Sequence, residues 1–242
     1  MTGASSAPPE EIGANLSDDG DANLHELRNT LELQRVALPS MYQLHTVLRI
    51  EHKPHGPTHE QISARSVLTF TAVNPFDAMC KLEPFQTTVK KPVARGLTPF
   101  RLIKYRVFAH GSGDVLFALD PADVRSRVHK PTGELEYYAT GSHDVAARSS
   151  VDVIYESERV IPYHDTYKYI PRLRAVKDMV IEYSYGEFAA KSKRVGMRIF
   201  PKLTLISHSA AIARLDNGNL EGSASWRVSG WLVPGNGIVL SW

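Results

Sequence analysis

The spacing of apolar positions changes along this chain. Leu24, Leu27 and Leu31 recur at helical intervals, and Asn23 with Glu26 three residues on makes a capping box. The pattern predicts a helix over residues 23–38, ended by Pro39. Its apolar stripe is narrow, which suits a helix that docks on the rest of the chain or on a partner. From Tyr42 the period falls to two: Leu44, Thr46, Leu48 and Ile50 alternate with His45, Val47, Arg49 and Glu51. Residues 65–73 are rich in β-branched and aromatic side chains and predict a buried strand. Asn74-Pro75 has the form of an N-cap followed by proline at the first helical position. A short helix is expected there, closed by Pro84, with Phe76, Met79 and Cys80 on its apolar face.

Further strands are expected over residues 100–109, 114–119, 150–156 and 178–185, with a hairpin of 124–129 and 134–139 around Pro131-Thr132-Gly133. Residues 187–198 fit helix or strand, and Gly196 weakens the helix. Residues 203–215 and 220–232 read as a long hairpin with a type I′ turn at Asn217-Gly218. Pro234 to Gly237 then turns the chain so that residues 238–242 return as the last strand of a C-terminal antiparallel meander. The expected fold is α+β, mainly β: one compact body of about ten strands with two or three helices. Three regions follow: residues 1–22 as a disordered acidic arm, 23–38 as the docking helix, and 39–242 as the β-rich body.

Charge divides the chain in the same place. Residues 1–27 hold six acidic side chains and no Lys or Arg. The remainder therefore carries 28 basic against 20 acidic residues, a net charge of +8. A basic body behind an acidic arm suits docking on something anionic, with the arm free to compete for the same patch or to recruit a host partner. The cations fall into three clusters. Lys191, Lys193, Arg194, Arg198 and Lys202 are the first expected contact with membrane or nucleic acid. Lys90, Lys91 and Arg95 come next, continued by Arg101, Lys104 and Arg106. Arg172, Arg174 and Lys177 form the third. Tyr105, Phe108, Tyr167 and Tyr169 lie near these clusters and could stack on bases.

Catalytic chemistry is harder to place. His52, His55 and His59 are the candidate metal ligands, but Pro54 and Pro57 prevent a helix from bringing them to one face, so a solvated loop is expected. Adjacent His164 and Asp165 point apart in an extended segment. Cys80 reads as a core thiol, and a single cysteine excludes an intramolecular disulfide and a multi-cysteine zinc site. Gly235 and Gly237 precede a strand, where a phosphate-cradling loop would precede a helix. There is no nucleophile elbow, Walker loop or dinucleotide fingerprint, and no cofactor is expected. No apolar run is long enough to span a membrane, and the N-terminus lacks the features of a secretory signal. An intracellular location, cytoplasm or nucleus with peripheral membrane contact, is expected.

The acidic Ala7-Pro8-Pro9-Glu10-Glu11 element ahead of one compact basic body, with Gly133-Glu134-Leu135-Glu136-Tyr137 following a basic strand, resembles matrix proteins of rhabdovirus-like negative-strand RNA viruses. The resemblance implies a self-assembling peripheral membrane protein of the virion that bridges ribonucleoprotein and envelope. The chain departs from that pattern in having no tyrosine to complete a Pro-Pro-x-Tyr element and no Lys-rich stretch in the arm. The expected function is thus non-enzymatic assembly and docking on anionic membrane or ribonucleoprotein. The alternatives are a nucleic-acid-binding coat or movement protein with a β-sandwich, and a His-based metalloenzyme or hydrolase.

Overall fold

Strand-forming sequence dominates, and pairing at long range organises it. The computed structural model describes residues 18–33, 41–55, 61–89, 98–130, 133–162, 167–171, 174–186, 196–200, 210–215, 222–234 and 237–241. The chain starts with helix α1 (Asp18–Leu33), then β1 (Tyr42–His55), β2 (Gln61–Asn74), β3 (Cys80–Leu82), β4 (Gln86–Val89), β5 (Phe100–Ala109) and β6 (Val115–Leu119). A single 3-10 turn, Pro121–Asp123, leads to β7 (Arg125–Val128), β8 (Leu135–Tyr138), β9 (His143–Val145), β10 (Ser149–Pro162) and β11 (Tyr167–Pro171). The last five strands are β12 (Ala175–Ser184), β13 (Gly196–Phe200), β14 (Ala210–Leu215), β15 (Ser223–Leu232) and β16 (Gly237–Ser241). The protein is mainly β, with one α-helix among the described residues where two or three were expected.

Eight strands form the main sheet, in the order β14-β15-β12-β1-β2-β10-β5-β6. β1 and β12 run parallel, and the other neighbours are antiparallel. Side chains alternate between its two faces. On the inner face Phe70, Tyr105, Val107 and Val153 pack with Leu82, Val89 and Val145 of the short strands. Farther across, Leu48, Ile50, Ile181, Trp226 and Val228 pack with Ile238 and Leu240 of β16. Three small sheets, β11-β16-β13, β3-β9 and β4-β8-β7, complete the fold.

Three adjacent strands kink at one level, and this seats the helix. His45 in β1 and Asp178 in β12 each hold φ at 49°, and Gly230 in β15 holds it at 86°. Registers shift between Leu44 and Val47 and between Lys177 and Met179. Asp178 Oδ1 accepts the Gly230 N–H at 2.8 Å across the kink. An inserted residue reverses which side chains face outward. Tyr42, Ala175 and Trp231 therefore join Val73 on the outer face, where Leu24, Leu27 and Leu31 of α1 cover them. The leucine stripe is the docking face expected of it, but the helix begins at Asp18, ahead of the Asn23–Glu26 box. Asp18, Asp19 and Asp21 suit a helix N-terminus through the macrodipole, and Asn23 instead accepts the Lys177 ammonium at 2.8 Å. Residues 34–38 of the expected helix, and residues 1–17 of the arm, lie outside the described residues.

Two further expectations need correction. No helix follows Asn74. Its Oδ1 accepts the Phe76 N–H at 3.2 Å, and its Nδ2 donates to the carbonyls of Ala78, Val145 and Ala146 at 2.8, 3.2 and 2.8 Å. That amide ties the segment to its neighbour, and residues 80–82 pair with β9 as a strand. At the C-terminus β14 and β15 form the expected hairpin, although the turn at Asn217-Gly218 lies outside the described residues. β16 does not extend it. β12 and β14 already occupy both edges of β15, so β16 pairs with β11 and β13.

The expected hairpin of β7 and β8 is present and carries a buried carboxylate. Glu136 lies opposite Arg127 and accepts hydrogen bonds from Arg127 Nε and Gln86 Nε2. These bonds, Arg127's first, hold its carboxyl below the usual value of 4.5. A depressed folded pKa stabilises above the unfolded value and loses that contribution as pH falls through the folded one. Arg127→Ala should therefore destabilise the protein most near neutral pH, with the gap to wild type closing as pH falls below 4.5 and through the lowered folded value. Urea unfolding of both proteins across that range measures it, and a gap constant with pH would contradict the assignment.

Candidate functional site

Beyond the α1 seat the outer face is open and charged. Its residues follow from register: Arg49 opposes Val67 and Glu182, Glu51 opposes Arg65, and Glu158 opposes Arg65 and Arg101. Most of the charges are matched. Arg49 Nε lies 2.7 Å from Glu182 Oε2, Lys53 Nζ 2.9 Å from Glu51 Oε1, and Arg101 Nη2 2.6 Å from Glu158 Oε2. Arg65 Nε donates to Glu156 Oε1 at 2.8 Å. The Ser63 hydroxyl, and after it the Arg101 guanidinium, hold the Glu158 carboxyl below its usual range. A shallow groove of about 390 Å³ runs between Arg49, Arg65, Glu51 and Glu182, where cation and carboxylate already neutralise each other. Exposed pairs of this kind contribute little stability.

The match breaks down on β5. Lys104 and Arg106 stand on this face and have no carboxylate partner among the described residues. Glu156, which opposes Lys104 in register, is taken by Arg65. Arg227 of β15, across the sheet, is the other described outer-face cation in this condition. Beside Lys104 and Arg106 lies β6, the edge of the sheet. Ala118 opposes Arg106, and Leu116 and Val115 are 47% and 52% exposed. Aliphatic side chains thus sit in the open next to unpaired cations. The β6 sequence, Val-Leu-Phe-Ala-Leu, has no polar alternation, so its outward face could not be read from the chain.

The other expected contacts divide. Lys90, Lys91, Arg95, Arg172, Lys191, Lys193, Arg194 and Lys202 lie outside the described residues, as do His59, His164 and Asp165. Arg198 is exposed in β13. Arg174 is half-buried and turns inward: burial, opposed by Tyr105 and Glu83, holds its guanidinium below the usual range. Lys177 is neutralised by α1, donating to Asn23 Oδ1 and Glu26 Oε2 above the Trp231 ring. Arg148 meets Asp77 at 2.9 Å and Asp21 at 3.5 Å. Two acidic residues of the N-terminal region therefore meet basic partners on the body: Glu26 meets Lys177 of the third expected cluster, and Asp21 meets Arg148, which lies outside the three clusters.

The histidine loop is corrected. β1 continues through Pro54 to His55, so His52 is a core residue. Its Nδ1 shares a 2.8 Å hydrogen bond with Tyr183 Oη, and the two rings meet edge to face at 5.0 Å. Burial pushes the Tyr183 phenol up, keeping its proton. Among the described residues no group of three His, Cys, Asp or Glu side chains is placed to hold a metal ion. Cys80 is half-buried on β3 rather than on a helix. Tyr105, a candidate base-stacking ring, is buried at 2% exposure. No described helix is long and apolar enough to cross a membrane.

No protein-family model matches the chain, and no curated protein matches it in sequence. Solved structures that resemble it include a Legionella pneumophila protein provisionally described as nutrient binding, 9% identical, with a TM-score of 0.39 over 85% of this chain and 68% of that one. A mutant two-domain M1 zinc metallopeptidase bound to L-tryptophan is also 9% identical, with a TM-score of 0.35 over 84% of this chain. The match covers 43% of the peptidase. At TM-scores this low neither likeness brings its ligand or its reaction to this chain.

Proposed function

We propose that this protein is a non-enzymatic docking module that seats the β5–β6 edge of its main sheet on an anionic membrane surface. One observation carries the reading: Lys104 and Arg106, two residues apart on one strand and so about 7 Å apart, lack carboxylate partners among the described residues, and the neighbouring edge strand β6 exposes Val115 and Leu116. Cations near an anionic leaflet contribute about 1 kcal/mol each. Leucine and valine side chains can enter the headgroup boundary and add apolar burial. Of the rings that could stack on bases, Tyr105 is buried and Phe108, beside Arg106 on the same face, is half-buried, so the RNA arm of the test below separates the two surfaces. Several copies on one surface would multiply the contact, which is the form a matrix-type role would take.

Flotation with vesicles tests this. The protein should float with phosphatidylserine-containing vesicles at low salt and not with pure phosphatidylcholine. Equal binding to both, or to neither, would refute it. RNA binding without lipid binding would move the reading to nucleic acid.

A further inference from the structure

The row of outer-face positions along β5 does not stop at the unpaired cations. Lys104, Arg106 and Phe108 occupy alternate positions on that face, and His110, one residue past the end of the strand, follows in the same series. His110 Nδ1 lies 3.0 Å from both carboxylate oxygens of Asp152 on β10. The Thr71 hydroxyl of β2 donates to Asp152 Oδ1 at 2.7 Å and holds the carboxylate on this face. Both members of the pair are open to water, His110 at 47% and Asp152 at 41% exposure. Asp152 opposes Phe108 in register, so it stands on the next strand two positions along from Arg106. Strand spacing and rise put the two backbones roughly 8 Å apart. That is within the screening length of about 30 Å at 0.01 M salt and close to that of about 10 Å at 0.1 M.

The remaining charges around His110 are engaged elsewhere. Asp114, across the hairpin, accepts the Ser112 hydroxyl at 2.9 Å. Arg148, just ahead of β10, meets Asp77 and, on α1, Asp21. Arg106 lies four positions back along β5. An imidazole takes up its proton between about pH 8 and pH 5. Above that range the pair carries the Asp152 charge, one negative beside two cations. Below it the pair cancels internally, and Lys104 and Arg106 act undiminished.

We propose that His110 and Asp152 form a proton-controlled switch on the docking surface, which keeps its contact with an anionic membrane weaker at neutral pH and strengthens it on acidification. The inference rests on the docking role of the β5–β6 edge. One charge near an anionic leaflet contributes about 1 kcal/mol, or about fivefold in affinity. By linkage, a membrane that favours the protonated pair draws protons onto it, so docking takes up protons in this range.

Flotation of the full chain with mixed phosphatidylglycerol–phosphatidylcholine vesicles tests this, because the phosphatidylglycerol phosphodiester keeps its charge throughout. Affinity at low salt should rise at least about fivefold from about pH 7.5 to about pH 5.5. His110→Gln should still float at the higher pH and lose most of the rise. His129→Gln removes one imidazole from the β7–β8 hairpin, in a separate small sheet, and should keep it. Asp152→Asn, which can still accept the Thr71 hydroxyl, should bind about fivefold more tightly than wild type at the higher pH. A wild type that floats equally at both pH values overturns the switch and leaves the docking edge standing. So does a rise that both histidine variants reduce alike, since net charge would then account for it. A protein that floats at neither pH overturns the docking role and the switch with it.

Discussion

Replacing Trp231 by alanine should cost about 3–5 kcal/mol, the range for removing a large buried aromatic. Trp231 is 1% exposed and meets Tyr42 edge to face at 5.6 Å, with the Lys177 ammonium 5.8 Å from its ring. It also floors the seat under Leu24, Leu27 and Leu31. Total stabilities of about 5–15 kcal/mol leave little after such a loss. Leu27→Ala, at a fully buried position, should cost about 2–5 kcal/mol. Because both side chains share one cluster, the double variant should lose less than the two losses added together. Urea midpoints read all three. A Trp231→Ala protein within about 0.5 kcal/mol of wild type, the scale of ordinary surface changes, would mean that α1 does not close this seat.

The second large effect is on binding. Lys104→Gln with Arg106→Gln removes about 2 kcal/mol of attraction to an anionic leaflet, roughly thirtyfold in vesicle affinity at low salt. The effect should shrink as salt rises, because exposed charges are screened. Arg49→Gln with Glu182→Gln removes a matched pair from the same face without changing net charge, so it should leave affinity near wild type. If the matched pair mattered as much as the unpaired cations, binding would follow the whole face rather than its edge. Fold is not at stake in the first variant, since Arg106 is exposed and Lys104 is only half-buried.

Local pattern was legible in the chain where one strand or helix face decides the outcome. The alternation after Tyr42, the strand at residues 100–109, the β7–β8 hairpin and the leucine stripe of α1 all follow from side chains near each other in sequence. Partners distant in sequence were not. The parallel pairing of β1 with β12 joins residues more than a hundred apart, and nothing local marks it. β16 carries the alternation of a third meander strand, yet the edge it needed was already taken. His52 read as a loop residue because Pro54 and Pro57 follow it, whereas β1 extends through Pro54 and turns the ring into the core. Glu136, in the β7–β8 hairpin, is buried against Arg127 and Gln86 and has a structural task.

The candidate site was legible only as charge. Lys104 and Arg106 stood out as members of a basic cluster, but the partners that neutralise their neighbours lie on β2, β10 and β12, so the two unpaired cations could not be told from the rest. Tyr105 stood out only as a ring near a basic cluster, and its pairing with Tyr155, fifty residues on, arises only through β5–β10 register.

A nitroxide probe at the proposed contact tests the central claim most directly. It would be attached at Leu116→Cys in a Cys80→Ser background, and in a second protein at Val128→Cys on β7, which is 54% exposed in a separate small sheet. On adding anionic vesicles, the probe at 116 should enter the lipid boundary and gain oxygen accessibility, and the probe at 128 should stay in water. Lipid contact at 128 and not at 116, or at neither while the protein floats, would contradict docking through the β5–β6 edge.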